Sequence, residues 1–330
     1  MIALTNSQIS GSDGTGAQVL RYAILFSLSR KYEIPWIHSP ILKIDSNPGD
    51  GMQSPELISK FLKELNSFLT NREKEEFVFS LPKFSIKRPL SKSHLHSVLH
   101  FFSKLSKIHH PVLAITLNHP NTYLKHSTDL LAHFSSNYAF SHFVSRHKET
   151  KEVQIHLHLR GAFHNDRNID PDFLLSLLHF VQLEVLTINL NIEIVIHTDF
   201  PESSKTWNVP EDQDPGTLQY WKDMGELGVE RTLKLREYDF SAWESVVGKI
   251  LILRHLDPLN SWKEMTKADI LIGCHSSFSI VGALLNSRAF VLIPNELRFM
   301  SHWHGYDSNF NNFNSIRVAL NDYFSNLSET

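Results

Sequence analysis

The sequence predicts an α/β chain of two consecutive domains, each a parallel sheet flanked by helices. Three observations carry that expectation. Short apolar runs of strand length alternate with segments whose apolar residues recur at helical spacing, the pattern of repeated strand–helix–strand units. At 330 residues the chain is about twice the length of an ordinary domain. The alternation breaks once, at the charged run HKETKE (147–152), and then restarts. Residues 1–150 and 151–330 are therefore the two expected domains.

Ile2–Thr5 reads as the first strand. Ala17–Lys31 follows as a helix, with Val19, Leu20, Ala23, Ile24 and Phe26 at helical spacing. Ile34–His38 is the second strand, and the polar stretch Asp45–Ser54 is a loop. Helix Pro55–Phe68, strand Phe77–Leu81 and loop Pro82–Lys92 come next. Helix Ser93–Lys107, strand Val112–Thr116 and helix Asn121–Asn137 complete the first half. Beyond the charged run, strand Val153–Arg160, helix Pro171–Val181, strand Ile192–Thr198 and helix Pro215–Leu227 are expected. Strand Thr232–Leu235, helix Ser241–Arg254, strand Asp269–Gly273, helix Phe278–Asn286 and strand Ala289–Ile293 follow. A terminal helix, Ser315–Phe324, closes the chain and is free to cross back onto the first domain. The order fits two Rossmann-like domains facing a cleft, with ligands beyond the carboxyl ends of the strands.

Composition excludes several classes. With 32 Lys+Arg against 35 Asp+Glu the net charge is −3, without the basic excess of a non-specific nucleic-acid binder. Glycine and proline total 27, too few for a disordered or fibrous chain. A single cysteine, Cys274, forms no intramolecular disulfide and suits a reducing compartment. No secretory signal opens the sequence, and no apolar run approaches the ~20 residues of a membrane span. A cytoplasmic protein without a transmembrane segment is the expectation. The 20 histidines stand out and raise the question of a metal site.

Four segments carry candidate chemistry. The loop SGSDGTGAQ (10–18) joins the first strand to the first helix. Its glycines allow close backbone approach, and the helix N-terminus presents free N–H groups to an anion. The spacing fits neither the dinucleotide fingerprint nor a P-loop. In Val153–Arg160 the strand period puts Val153, Ile155, Leu157 and Leu159 on one face and Gln154, His156, His158 and Arg160 on the other. A polar face inside a sheet needs an anionic or hydrogen-bonding partner, unless the strand is a solvated edge. Arg160 ends the strand, where its guanidinium fork matches a diphosphate. His156 and His158 also read as a metal pair, which would need further ligands on later strands.

The third segment is Ala268–Asn286, a strand running into a small polar turn and a helix. Ser276 or Ser277 is a natural N-cap. The same hydroxyls and helix N–H groups would face a phosphate, with Phe278 stacking nearby. Cys274 reads as a packed residue rather than a nucleophile. The fourth is Ile192–Glu202, where Asp199 follows an apolar strand and would either meet a base or ribose or cap the next turn.

The order of these segments resembles the fucosyltransferase group that includes the bacterial alpha-1,2-fucosyltransferases and the protein O-fucosyltransferases. Their opening loop is G-x-G-N-Q followed by Tyr-Ala. Gly14, Gly16, Gln18, Tyr22 and Ala23 match it, with Ala17 at the Asn position. Their H-x-R-R-x-D motif is matched at His158 and Arg160, with Gly161 and Phe163 at the second Arg and the acid. Their S-S-F-S-x-x-G-A stretch is matched by Ser276, Ser277, Phe278, Ser279, Gly282 and Ala283. Asp199 is similar to their T/S-D position, which meets the nucleotide.

The resemblance implies a GT-B, inverting, metal-independent transfer of a sugar, fucose, from a GDP-sugar to the hydroxyl of a glycan or other acceptor. It implies no cofactor beyond the donor GDP-fucose, and no resident metal. Arg160 would stabilise the leaving phosphate together with the helix N-termini at Gly14–Ala17 and Ser276–Phe278. Gly16, Gln18, His158, Asp199 and Ser277 would contact the donor. Asp13, in the glycine loop, is the expected general base, with Asp50 and Glu296 as alternatives. The triplets Asp170-Pro-Asp172 and Asp212-Gln-Asp214 sit just ahead of helices and read as caps. A non-catalytic nucleotide-sugar-binding protein and a metal-dependent hydrolase using His156 and His158 are the competing readings.

Overall fold

The computed structural model describes residues 2–6, 14–44, 55–70, 82–86, 90–107, 113–117, 124, 129–138, 152–160, 170–188, 190–209, 211, 215–223, 225, 227–254, 256–307 and 312–329. Within them the chain forms two compact α/β units.

The first unit begins with β1 (Ile2–Thr5), α1 (Thr15–Lys31), β2 (Trp36–Ile37) and α2 (Pro55–Thr70). It continues with β3 (Lys83–Ile86), α3 (Lys92–Ser106), β4 (Leu113–Leu117) and α4 (Ala132–Tyr138). Its four strands pair in parallel in the order β2-β1-β4-β3. Helix α1 is buried on nearly every side, from Val19 to Leu28, as its almost continuous apolar sequence requires. Arg30 and Lys31 end it, where cations complement the negative helix terminus. Around it Tyr22, Phe26, Trp36, Phe134 and Tyr138 pack edge to face or stacked. The Trp36 indole N–H donates to Tyr22 Oη at 3.2 Å, which is 3.0 Å from Tyr138 Oη, so the polar tips of this cluster satisfy one another.

The second unit runs β5 (Glu152–Leu159), α5 (Pro171–Leu186), β6 (Asn191–Thr198), β7 (Lys205–Asn208), α6 (Pro215–Asp223) and β8 (Thr232–Leu235). Then come α7 (Ser241–Val247), β9 (Ile250–Arg254), α8 (Pro258–Met265), β10 (Ile270–Ile272) and α9 (Ser277–Leu285). Strand β11 (Phe290–Pro294), a 3₁₀ turn (Asn295–Leu297), β12 (His304–Tyr306) and α10 (Phe313–Glu329) finish it. Six strands form one parallel sheet, β12-β11-β10-β5-β6-β9. Numbered within the unit and read from the β9 edge, the order is 3-2-1-4-5-6, that of doubly wound nucleotide-binding sheets. Connections leave β5 toward one edge and β10 toward the other, so the switch point lies between these two neighbours.

Several sequence expectations are corrected. Ser241–Arg254 is not one helix: Gly248 ends α7 in a positive-φ conformation (φ 79°), and Ile250–Arg254 pairs with β6. Thr232–Leu235 is a strand but pairs antiparallel with β7, outside the main sheet. The loop expected at Pro82–Lys92 contains β3, and the helix expected at Asn121–Asn137 is broken by a turn at Asp129 (φ 60°), with α4 beginning at Ala132. The α8 helix, capped by Asp257 and led by Pro258, and the short strands β7 and β12 are additions. Strand Phe77–Leu81 lies outside the described residues. The terminal helix packs on its own unit, through Tyr323 on Phe290 and an Arg317–Glu184 ion pair. Among the described residues, no helix is long and apolar enough to cross a membrane.

Candidate functional site

The site is built on β5. Both faces of this strand are buried: Val153, Ile155, Leu157 and Leu159 belong to the apolar core, while Gln154, His156 and His158 are 6%, 1% and 7% exposed. The solvated-edge alternative is thereby excluded, since β10 and β6 flank β5. Each rung of the buried polar face has at least one hydrogen-bonding partner, although Gln154 Oε1, His156 Nε2 and His197 Nδ1 are buried without one. Gln154 Nε2 donates to Glu193 on β6, and the Gln154 backbone N–H donates to Asp269 Oδ2 at 2.7 Å. His156 Nδ1 lies 2.9 Å from His197 Nε2. His158 Nδ1 lies 2.7 Å from Ser279 Oγ and 3.3 Å from Cys274 Sγ.

Burial sets the charge of these groups. It pushes His158 down to about 3, helped by the charges of His197 and Arg160, and His197 down to about 4. Both imidazoles are neutral at pH 7. Burial likewise pushes the Cys274 thiol up to about 11, so Cys274 is no thiolate nucleophile.

The row ends at Arg160, at the carboxyl edge of the sheet. Its Nε lies 3.8 Å from Asp199 Oδ2 beyond β6, and its Nη1 donates to Ser276 Oγ at 3.5 Å beyond β10. Arg160 therefore spans the switch point, partly exposed, with side-chain exposure of 21% against 14% for Asp199. The turn after Asp199 is closed by Thr198, whose Oγ1 accepts from the Phe200 N–H at 3.2 Å.

The turn that leads from β10 into α9 is held from four sides. Tyr306 Oη donates to Gly273 O at 2.6 Å, and the Cys274 N–H donates to Ser279 Oγ at 3.1 Å. Ser276 caps α9 by accepting from the Phe278 N–H at 3.2 Å. Phe278 packs between the rings of His158 and Trp262, both at 5.1 Å, and Trp262 Nε1 donates to its carbonyl at 3.2 Å. Gly273 is required here: a Cβ would come within 2.9 Å of Ser279 Cβ. The helix N-terminus is thus fixed beside the guanidinium, an arrangement able to hold an oxyanion.

Of the residues expected from sequence, His158, Arg160, Asp199, Ser276, Ser277 and Phe278 lie together in the second unit. Ser279, Tyr306, Trp262 and His197 complete their support; sequence reading gave them no role. Ser279 lies within the motif that was read, but the other three come from distant elements. Gly14, Gly16, Ala17 and Gln18 lie in the first unit. Gly14 leads into α1 and its carbonyl accepts from the N–H of Ala17 (3.0 Å) and Gln18 (3.2 Å); Gln18 Nε2 donates to Lys43 O at 2.8 Å. Asp13, Asp50, Gly161 and Phe163 lie outside the described residues. Asp170 caps α5 and accepts from the Asp172 N–H; Asp212 and Asp214 also lie outside. Glu296 meets His275 Nε2 at the same sheet edge. Burial pushes its carboxyl up, but backbone hydrogen bonding and His275 outweigh that and hold it below its usual range. Among the described residues no three His, Cys, Asp or Glu side chains converge as a metal cluster.

No family model and no curated protein sequence matches the chain. Solved structures similar to it at low identity include the following two. E. coli heptosyltransferase WaaC with ADP is 8% identical, covering 98% of this chain and 72% of its own, with a TM-score of 0.35. POFUT1 in its apo form is 10% identical, covering 89% of this chain and 97% of its own, with a TM-score of 0.36. At such scores the fold and the site rest on the chain's own geometry.

Proposed function

We propose that the chain is a glycosyltransferase of GT-B type, which transfers fucose from GDP-fucose to an acceptor hydroxyl with inversion and without a metal. One observation carries the reading: Arg160 bridges Asp199 and the capped N-terminus of α9 at the switch point of a Rossmann-order sheet. A diphosphate bound there meets a fork of N–H donors and the free N–H groups of a helix. The acceptor oxygen attacks the anomeric carbon as the bond to the phosphate oxygen breaks, and the electron pair leaves with the diphosphate. Arg160 and the helix N-terminus stabilise the charge that gathers on that oxygen. Asp199 and Ser276 orient the guanidinium before the donor arrives. The acceptor proton passes to a carboxylate, for which Asp13 is the proposed base. Gly14, Gly16, Ala17, Gln18, Ser277 and Phe278 are the proposed further donor contacts. His158, held by Ser279 inside the sheet, supports the α9 turn.

The test is GDP release. The full chain incubated with GDP-fucose and a mixed panel of glycan acceptors is expected to liberate GDP and a fucosylated product. Binding of GDP without release or transfer would leave a nucleotide-sugar-binding protein. Release from UDP- or CMP-sugars in place of GDP-sugars would reject the donor assignment.

A further inference from the structure

We propose that the first unit carries a binding groove for an acidic oligosaccharide, between the C-terminal end of α1 and the length of α3. The groove encloses about 580 Å3. Leu28, Leu95 and Leu130 supply an apolar floor, with Ser103 buried beside them. Lys31, Lys92 and Lys107 line it, against one acidic residue, Glu33. Glu33 is paired with Lys107 at 2.9 Å, and the hydrogen bond and charge of that lysine hold its carboxyl below the usual range. With Glu33 ionised, three lysines against one carboxylate still leave the lining net cationic, in a chain whose net charge is −3.

The stretch of sequence that contains α3 is segregated to match. Between Glu76 and Asp129 lie 52 residues without one Asp or Glu, holding seven Lys or Arg and seven of the 20 histidines. At the chain's average of 35 acids in 330 residues, such a stretch would hold five or six. A third of the histidines thus gather where acids are absent.

Shape selects among anions. Lys92 and Lys107 stand fifteen positions apart, about 22 Å along a helix axis. One phosphate cannot meet both; a chain of several charged rings can. Between them the His96 and His100 rings stack 6.1 Å apart with planes 8° from parallel, and Tyr32 Oη lies 3.0 Å from His96 Nδ1. Flat rings over an apolar floor, with hydrogen-bonding nitrogens at their edges, suit the apolar face and hydroxyl rim of a pyranose. That the ligand is a saccharide rests on the sugar-transfer reading above; the preference for an anion does not.

Calorimetry of the full chain at low salt tests this with oligogalacturonate of about six residues, neutral maltohexaose, and inorganic polyphosphate of similar length. Oligogalacturonate is expected to bind, maltohexaose to show no heat, and polyphosphate to bind at least tenfold more weakly. Lys92→Gln combined with Lys107→Gln is expected to weaken oligogalacturonate tenfold or more. Lys104→Gln, on α3 but outside the groove, should leave it unchanged. His96→Gln, at an exposed position, should weaken it threefold or more and serves if the double variant fails to fold. Arg160→Ala should bind oligogalacturonate as wild type does, so failure of the donor reading leaves this result standing. No oligogalacturonate binding, equal binding of maltohexaose or polyphosphate, or an equal loss in Lys104→Gln would overturn the proposal.

Discussion

His158 and His197 show what a buried polar strand face costs and how the cost is met. Each ring has a partner across the sheet or from α9, and each is neutral because burial disfavours the imidazolium. Their folded pKa values lie below the unfolded 6.5, so the stability tied to neutrality is fully present above that pH. As pH falls below 6.5 the unfolded chain takes up protons that the folded chain refuses. Stability should then fall by up to about 1.4 kcal/mol per pH unit for each histidine, until the folded rings titrate near 4 and 3. Urea midpoints at pH 7, 6 and 5 check this, and a flat series would contradict it. The strand period in the sequence identified the shared face of Gln154, His156 and His158. It held nothing about the cover, because Ser279 and His197 arrive from elements 121 and 41 residues away.

At the scale of elements, strands of the parallel sheet were legible where a short apolar run or a strict alternation of strand length marked them. Val153–Arg160, Ile192–Thr198 and Ala289–Ile293 all lie within about a residue of their observed bounds. Short or exposed elements were not. Strand β3 keeps Phe84 largely exposed, and β12 has three residues, too few for a period to register. The misread helix at Ser241–Arg254 turns on one glycine. Gly248 adopts φ 79° and ψ −156°, a region essentially reserved for glycine. A Cβ there would touch nothing within 4 Å, so Gly248→Ala tests the backbone alone. It should lower stability by about 1–3 kcal/mol in equilibrium denaturation without altering ligand affinity. An unchanged midpoint would show that the turn relaxes freely.

At the scale of the whole molecule, the two units differ in charge and topology. The second unit has the Rossmann strand order and places Arg160, Asp199 and the α9 N-terminus at its switch point. The first unit has a cationic groove and a glycine-led helix. The two-part α/β architecture was legible because alternation and length are global properties of the chain. The candidate site was legible at Arg160, Asp199 and Ser276, whose positions at strand and helix ends follow from local pattern. Tyr306 and Trp262, which hold the α9 turn from β12 and α8, required the tertiary fold.

The central claim is that Arg160 holds a nucleoside diphosphate against the end of α9. Calorimetric titration of GDP into wild type and Arg160→Ala measures it most directly. Wild type should bind, and the variant should lose at least about 2 kcal/mol, roughly thirtyfold in Kd, as expected when a charge-assisted contact in a partly buried site is removed. Equal affinity in the two proteins, or no binding by wild type, would contradict the claim.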